Sequence, residues 1–151
     1  MLRNSLSDAL KAAMRDRDSA TTSTLRLILA ALKDRDIAAR PTGNSTGIGD
    51  SEILSMLQGM IKQRRESIVL YEKGKRADLV DKEAAEIVVI ERFLPTQMDE
   101  SAAAQVIGKV IQELGATTIK DMGRIMAELK TRHAGQMDFS RASALVKQQL
   151  G

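Results

Sequence analysis

An all-α fold in two parts is predicted: an N-terminal four-helix unit over residues 1–95, then a small three-helix C-terminal bundle over residues 96–151. Three observations predict it. Apolar residues recur three or four positions apart through nearly all 151 residues. Only Tyr71, Phe93 and Phe139 are aromatic, and the 43% apolar content is mostly Ala, Leu, Ile, Val and Met, which argues against β-sandwiches and base-stacking RNA folds. The two prolines, Pro41 and Pro95, fall between periodic segments rather than inside them. A chain of this length buries roughly two thirds of its unfolded surface and folds without covalent staples.

Each helix has its own signals. Leu6, Leu10, Ala13 and Met14 mark the first, with Ser5 or Ser7 as its cap; Leu25, Ile28, Leu29 and Leu32 carry the second, which stops at Arg40 before Pro41. The segment Pro41 to Asp50 holds three of the ten glycines and reads as a flexible loop. Asp50 or Ser51 caps a third helix running to Lys73, with Gly74 as its left-handed terminator. Asp78 caps a fourth that ends at Leu94, and Pro95 marks the boundary between the units. Asp99 opens a fifth helix closed by Gly115, Thr117 or Thr118 opens a sixth ending near Gly135, and Asp138 opens the last. Ile119, Met122, Ile125, Met126 and Leu129 read as core of the C-terminal unit.

Charge permits a polyanionic partner without demanding one. The net charge is +3, with 23 basic and 20 acidic residues, and the excess lies mainly in residues 1–40, which carry eight basic and five acidic groups. The absence of cysteine excludes disulfides, thiolate metal sites and thiol catalysis, and a cytosolic compartment is expected. No signal peptide and no membrane span is read. No cofactor or metal is expected.

Several motifs fail on context. Gly43-Asn44-Ser45-Thr46-Gly47 fits the pattern of a hydrolase nucleophile elbow, but a helix precedes it and the single histidine, His133, belongs to the other unit. Asp16-Arg17-Asp18 and Asp34-Arg35-Asp36 lack the third oxygen ligand and glycine of a calcium loop, and both read as solvated helix ends. One histidine also excludes a di-iron bundle, leaving His133 as a helix-terminus dipole partner or a surface residue.

The third and fourth helices are more informative. Arg64 falls within the apolar stripe of Ile53, Leu57, Ile61, Ile68 and Tyr71, and Glu83 within that of Val80, Ile87, Ile90 and Leu94. Folding these helices into a hairpin predicts a buried or half-buried Arg64 to Glu83 ion pair; the alternative is an Arg64 head extended to the edge. Lys62, Arg65, Lys73, Lys75 and Arg76 form a basic edge suited either to phosphates or simply to water. In the C-terminal unit Lys120 and Arg124 share a helix face around Gly123, which leaves room for a phosphate backbone or for a packed helix.

The segments Lys62 to Ile68, Tyr71 to Leu79, Glu83 to Ile87, Phe93-Leu94-Pro95 and Gly115 to Gly123 together resemble the YqeY family of GatB/YqeY domain proteins. The resemblance covers nearly the whole chain in order. It implies two helical units, the second similar to the tail domain of the B subunit of the glutamine-dependent aminoacyl-tRNA amidotransferase, and it associates the chain with carbon-nitrogen ligation using glutamine as amide donor. It also implies tRNA and that amidotransferase as partners, with the Lys120 to Arg124 face as the nucleic-acid contact; Lys62 and Arg65, from the basic edge of the predicted hairpin, are further candidate contacts. The chain departs from the family at Pro41 to Gly49, read as extra loop, and at Arg132 to Gln136, where relatives carry a more basic stretch. Amide transfer needs a glutaminase nucleophile and an ATP site, and the sequence carries the signature of neither. The reading is therefore a tRNA-binding accessory, with a helical protein-interaction module as the alternative; catalysis would need a partner that supplies the active site.

Overall fold

The computed structural model describes residues 1–151 and is helical throughout. Its elements are α1 (Leu2–Arg15), α2 (Ser19–Ala39), α3 (Asp50–Lys73), α4 (Ala77–Glu91), α5 (Glu100–Leu114), α6 (Met122–Arg132) and α7 (Phe139–Leu150), with 3-10 turns at Arg40–Thr42 and Ile119–Asp121. Chain contacts divide it into two compact units, Met1–Leu94 and Pro95–Gly151. No helix is long and apolar enough to cross a membrane.

In the first unit α1 packs on α2, α3 on α4, and α2 on α4. Leu6, Leu25, Ile28, Ile53, Leu57 and Ile90 are completely removed from solvent, each contributing about 1.5–3 kcal/mol through burial. The hairpin of α3 and α4 is buried over only half its length. Buried residues of α3 end at Ile61 and those of α4 begin at Ile87, so the segments nearer the turn extend past the core.

The Pro41 to Asp50 segment is not the flexible loop its composition suggests. Asn44 accepts from the backbone of Thr46 and Gly47 and donates to the Gly47 carbonyl at 2.9 Å, closing a tight Asx-type turn. Arg3 then grips Asp36 with two hydrogen bonds, at 2.7 and 3.0 Å, and donates to the Ile48 carbonyl, while the Ile48 N–H donates to Asp36 at 2.9 Å. This clamp seats Ile48 in the core at 6% exposure. Gly47 is required there: at φ +99° a Cβ would stand 2.6 Å from the Arg3 guanidinium. Asp36 is accordingly no solvated helix end, and Asp18 accepts from the Thr21 N–H as the cap of α2.

Other local expectations need correction. The first helix begins at Leu2 with Met1 in the cap position, and Ser5 donates back to the Met1 carbonyl instead of capping. Gly74 has φ −82°, and the left-handed residue after α3 is Lys75 at φ +56°. Its N–H bonds the Glu72 carbonyl and that of Arg76 bonds Tyr71, so the chain turns one residue later than the glycine implies. The fourth helix starts with Arg76 in the cap position, Asp78 lying inside its first turn with its carboxylate held by the Arg76 guanidinium, and it ends at Glu91.

In the second unit Ile107, Val110, Ile125, Leu129, Ala142 and Val146 form the core of α5, α6 and α7. Asp99 and Asp138 cap α5 and α7, and Gly115 closes α5 at φ +62°. Phe139 packs against this core from its edge, as Phe93 does in the first unit. Ile119 is not core: it is 60% exposed, because it lies in the 3-10 turn ahead of α6 and its side chain is out of register with the buried stripe.

Candidate nucleic-acid interface

The residues around Lys120 are organised by one carboxylate. Asp121 Oδ2 accepts from the Thr117 and Thr118 N–H groups at 3.1 and 3.3 Å, and Oδ1 accepts from Arg124 Nη2 at 3.0 Å. Thr118 and Asp121 cap each other reciprocally. The two backbone donors, then Arg124, hold the Asp121 carboxyl below the ordinary aspartate range. Lys120 and Arg124 thus belong to adjoining elements rather than to one α-helix. Lys120 projects from the 3-10 turn, exposed and without an ion pair, while Arg124 sits in the first turn of α6 tethered to Asp121. A Cβ on Gly123 would meet nothing within 4 Å, so no packed element accounts for that glycine.

At the end of α6, Arg132 is bound by Glu113 and Glu128, and His133 Nδ1 lies 2.9 Å from Gln136 Oε1 in a half-buried turn. The cation and the imidazole of this segment are engaged within the unit.

On the α3–α4 hairpin, Arg65 reaches Glu91 at 3.4 Å and Arg76 reaches Asp78 at 3.1 Å. Lys62, Lys73 and Lys75 are exposed and make no ion pair. Arg64 belongs to a different arrangement. Its side chain is 12% exposed; its Nε donates to Glu86 Oε2 at 2.8 Å, its Nη1 donates to the Met60 carbonyl, and Glu83 Oε2 stands at 4.0 Å. The expected half-buried Arg64–Glu83 ion pair is present at 4.0 Å, and the closer, hydrogen-bonded partner is Glu86, three residues further along α4. Sequence reading also missed the clamp of Arg3 on Asp36; the Asn44-x-x-Gly47 turn signal was its only local trace.

Two helical units define a class of small all-α protein, here with Lys62, Lys73, Lys75 and Lys120 left outside its ion pairs. The chain belongs to the YqeY family: the family profile, described as Yqey-like protein, matches residues 3–150. Among curated proteins, it is 31% identical over 105 residues to Altered inheritance of mitochondria protein 41, mitochondrial, of Kluyveromyces lactis, covering 68% of this chain and 55% of that protein. The protein of the same name from Pyrenophora tritici-repentis is 31% identical over 130 residues, covering 82% of this chain and 68% of its own. That from Lachancea thermotolerans is 30% identical over 101 residues, covering 67% and 51%. The chain thus spans only about half the length of two of these three relatives. The names of these relatives place them in mitochondria, which overturns the cytosolic expectation. A chain without cysteine is independent of disulfides, and that independence does not distinguish one reducing compartment from another.

Proposed function

We propose that this YqeY-family protein is a tRNA-binding accessory of a glutamine-dependent aminoacyl-tRNA amidotransferase, holding tRNA by phosphate contacts while a partner carries out carbon-nitrogen ligation. The observation that carries the reading is the pairing of an unpaired Lys120 with the open backbone at Gly123. A cation without an internal partner is available to a phosphate, and a surface glycine lets that phosphate approach the main chain. Arg124, oriented by Asp121, adds a second cation, and on the first unit Lys62 is unpaired beside Arg65, whose ion pair with Glu91 is exposed. The few aromatics suit recognition by shape and phosphate rather than by base stacking. The names of the relatives support a mitochondrial setting.

The test is the salt dependence of tRNA affinity. Each phosphate contacted contributes a slope of roughly −0.7 to −0.9 in log affinity against log salt. Lys120→Ala with Arg124→Ala is expected to make the slope shallower by about one to two units. An unchanged slope would remove this face, and absence of binding at low salt would leave the protein-interaction module as the function.

A further inference from the structure

A second surface, on the first unit, is built differently. Along α2, Ser19, Thr22, Ser23, Arg26 and Leu27 follow helical spacing and form the stripe opposite the buried Leu25, Ile28 and Leu32. With Met14 and Arg17 from the end of α1, this stripe lines an open groove of about 650 Å³. Met14 is 51% exposed and Leu27 46%, so the groove presents apolar surface to water. A smaller depression lined by Asp8, Lys11, Met14 and Arg15 adjoins it through the shared Met14.

Charge in the groove lining is one-sided. Lys11, Arg15, Arg17 and Arg26 make no ion pair. Asp8, Asp16 and the capping carboxylate Asp18 stand nearby against these four cations, but none of the three lines the groove itself, where Arg17 and Arg26 are the only charged residues. The backbone carries an independent sign. Arg17 occupies the left-handed position that ends α1, at φ +55°, with its N–H on the Met14 carbonyl and the Asp18 N–H on the Ala13 carbonyl. Glycine is the usual occupant of that position and is found at the equivalent place after α5, at Gly115. An arginine there is strained, and its side chain lines the groove.

We infer that this groove docks an acidic amphipathic helix of a protein partner. Apolar Met14 and Leu27 would take the leucine-type ridge of such a helix, the small Ser19, Thr22 and Ser23 leave room for its backbone, and Arg17 and Arg26, the only charged residues of the lining, meet its acidic flanks. A polyphosphate chain would match the cations but leave the two apolar side chains uncovered. The inference is independent of the tRNA reading, which rests on other residues.

The test uses the full chain, isotope-labelled, and a soluble probe peptide of about 20 residues with leucines at helical spacing flanked by glutamates. A companion peptide has lysines in place of the glutamates. The glutamate peptide is expected to shift resonances of residues 11–27 and to bind at least about tenfold tighter than the lysine peptide. Arg17→Glu with Arg26→Glu, and separately Met14→Gln with Leu27→Gln, should each weaken binding about tenfold while helicity by circular dichroism is unchanged. Arg17→Gly should also weaken binding while raising the thermal midpoint, a combination a purely structural Arg17 would not produce. Equal affinity for both peptides, no saturable binding, shifts outside this region, or tRNA perturbing the same residues would each overturn the inference.

Discussion

Arg64 Nε donates to Glu86 Oε2 at 2.8 Å while Glu83 Oε2 stands 4.0 Å from the same nitrogen, so one guanidinium near the edge of the core faces two carboxylates unequally. The short contact is a charge-assisted hydrogen bond and the long one only a Coulombic neighbour. Double-mutant cycles pairing Arg64→Met with Glu86→Gln, and Arg64→Met with Glu83→Gln, are expected to give coupling near 1–2 kcal/mol for the first and below about 0.5 kcal/mol for the second. Denaturant unfolding of the full chain, following the transition of the first unit, supplies the values. Equal couplings would mean that the two carboxylates share the guanidinium.

The grip of Arg3 on Asp36 makes the first unit acid-sensitive. Hydrogen bonds from Arg3, and then from the Ile48 N–H, hold the Asp36 carboxyl below its ordinary range. A depressed carboxylate stabilises the fold fully above the unfolded value of about 3.9, and that contribution is lost as pH falls through the folded value beneath it. Asp36→Asn should therefore lower stability at neutral pH by about 1 kcal/mol and flatten the acid limb of the stability profile below about pH 4. A variant whose profile parallels the parent would separate the clamp from acid unfolding.

Two helices end on basic residues in left-handed backbone, Arg17 at φ +55° and Lys75 at φ +56°. Glycine adopts that conformation without the Cβ clash. Arg17→Gly and Lys75→Gly are each expected to stabilise the first unit by about 0.5–1 kcal/mol, offset only partly by the greater unfolded-state freedom of glycine. Calorimetry should show a rise of a few degrees in its thermal midpoint. A fall would place more stabilising contact on these side chains than the structure gives them.

Gly123→Ala separates a structural glycine from a functional one. The added methyl meets open space and improves helix propensity, so the second unit should gain up to about 1 kcal/mol. If a phosphate approaches the main chain here, affinity for tRNA should nonetheless fall by about threefold, measured beside the unfolding curve. Unchanged affinity would confine the proposed contact to side chains.

Much of this was legible along the chain because helix formation is local. The fifth and seventh helices follow from aspartate caps and a glycine terminator that act within four residues: Asp99 bonds the Ala102 N–H, Asp138 that of Ser140. The YqeY resemblance was legible for the same reason, in short ordered segments across the chain. Misreadings gather where a residue's role depends on a distant partner. Asp36 resembles any acidic helix end until Arg3, 33 positions away, closes on it. Gly74 is a misreading of another, local kind: the turn completes one residue later at Lys75, with Arg76 bonded to Tyr71.

The sequence alone determined an all-α chain of the YqeY family, because apolar period, caps and family segments are properties of neighbouring residues. Tertiary structure decided which carboxylate Arg64 bonds, that the Pro41 to Asp50 loop is held rather than free, and that Ile119 faces water. It also decided which cations are left unpaired, Lys120 among them, while Arg124 and Arg132 are engaged by acids. The pairing of Arg64 with Glu86 and the clamp on the loop turn on distances of a few ångströms between segments far apart in the chain. Periodicity places a side chain on a face of its own helix, but the packing of the other helices determines what that face meets.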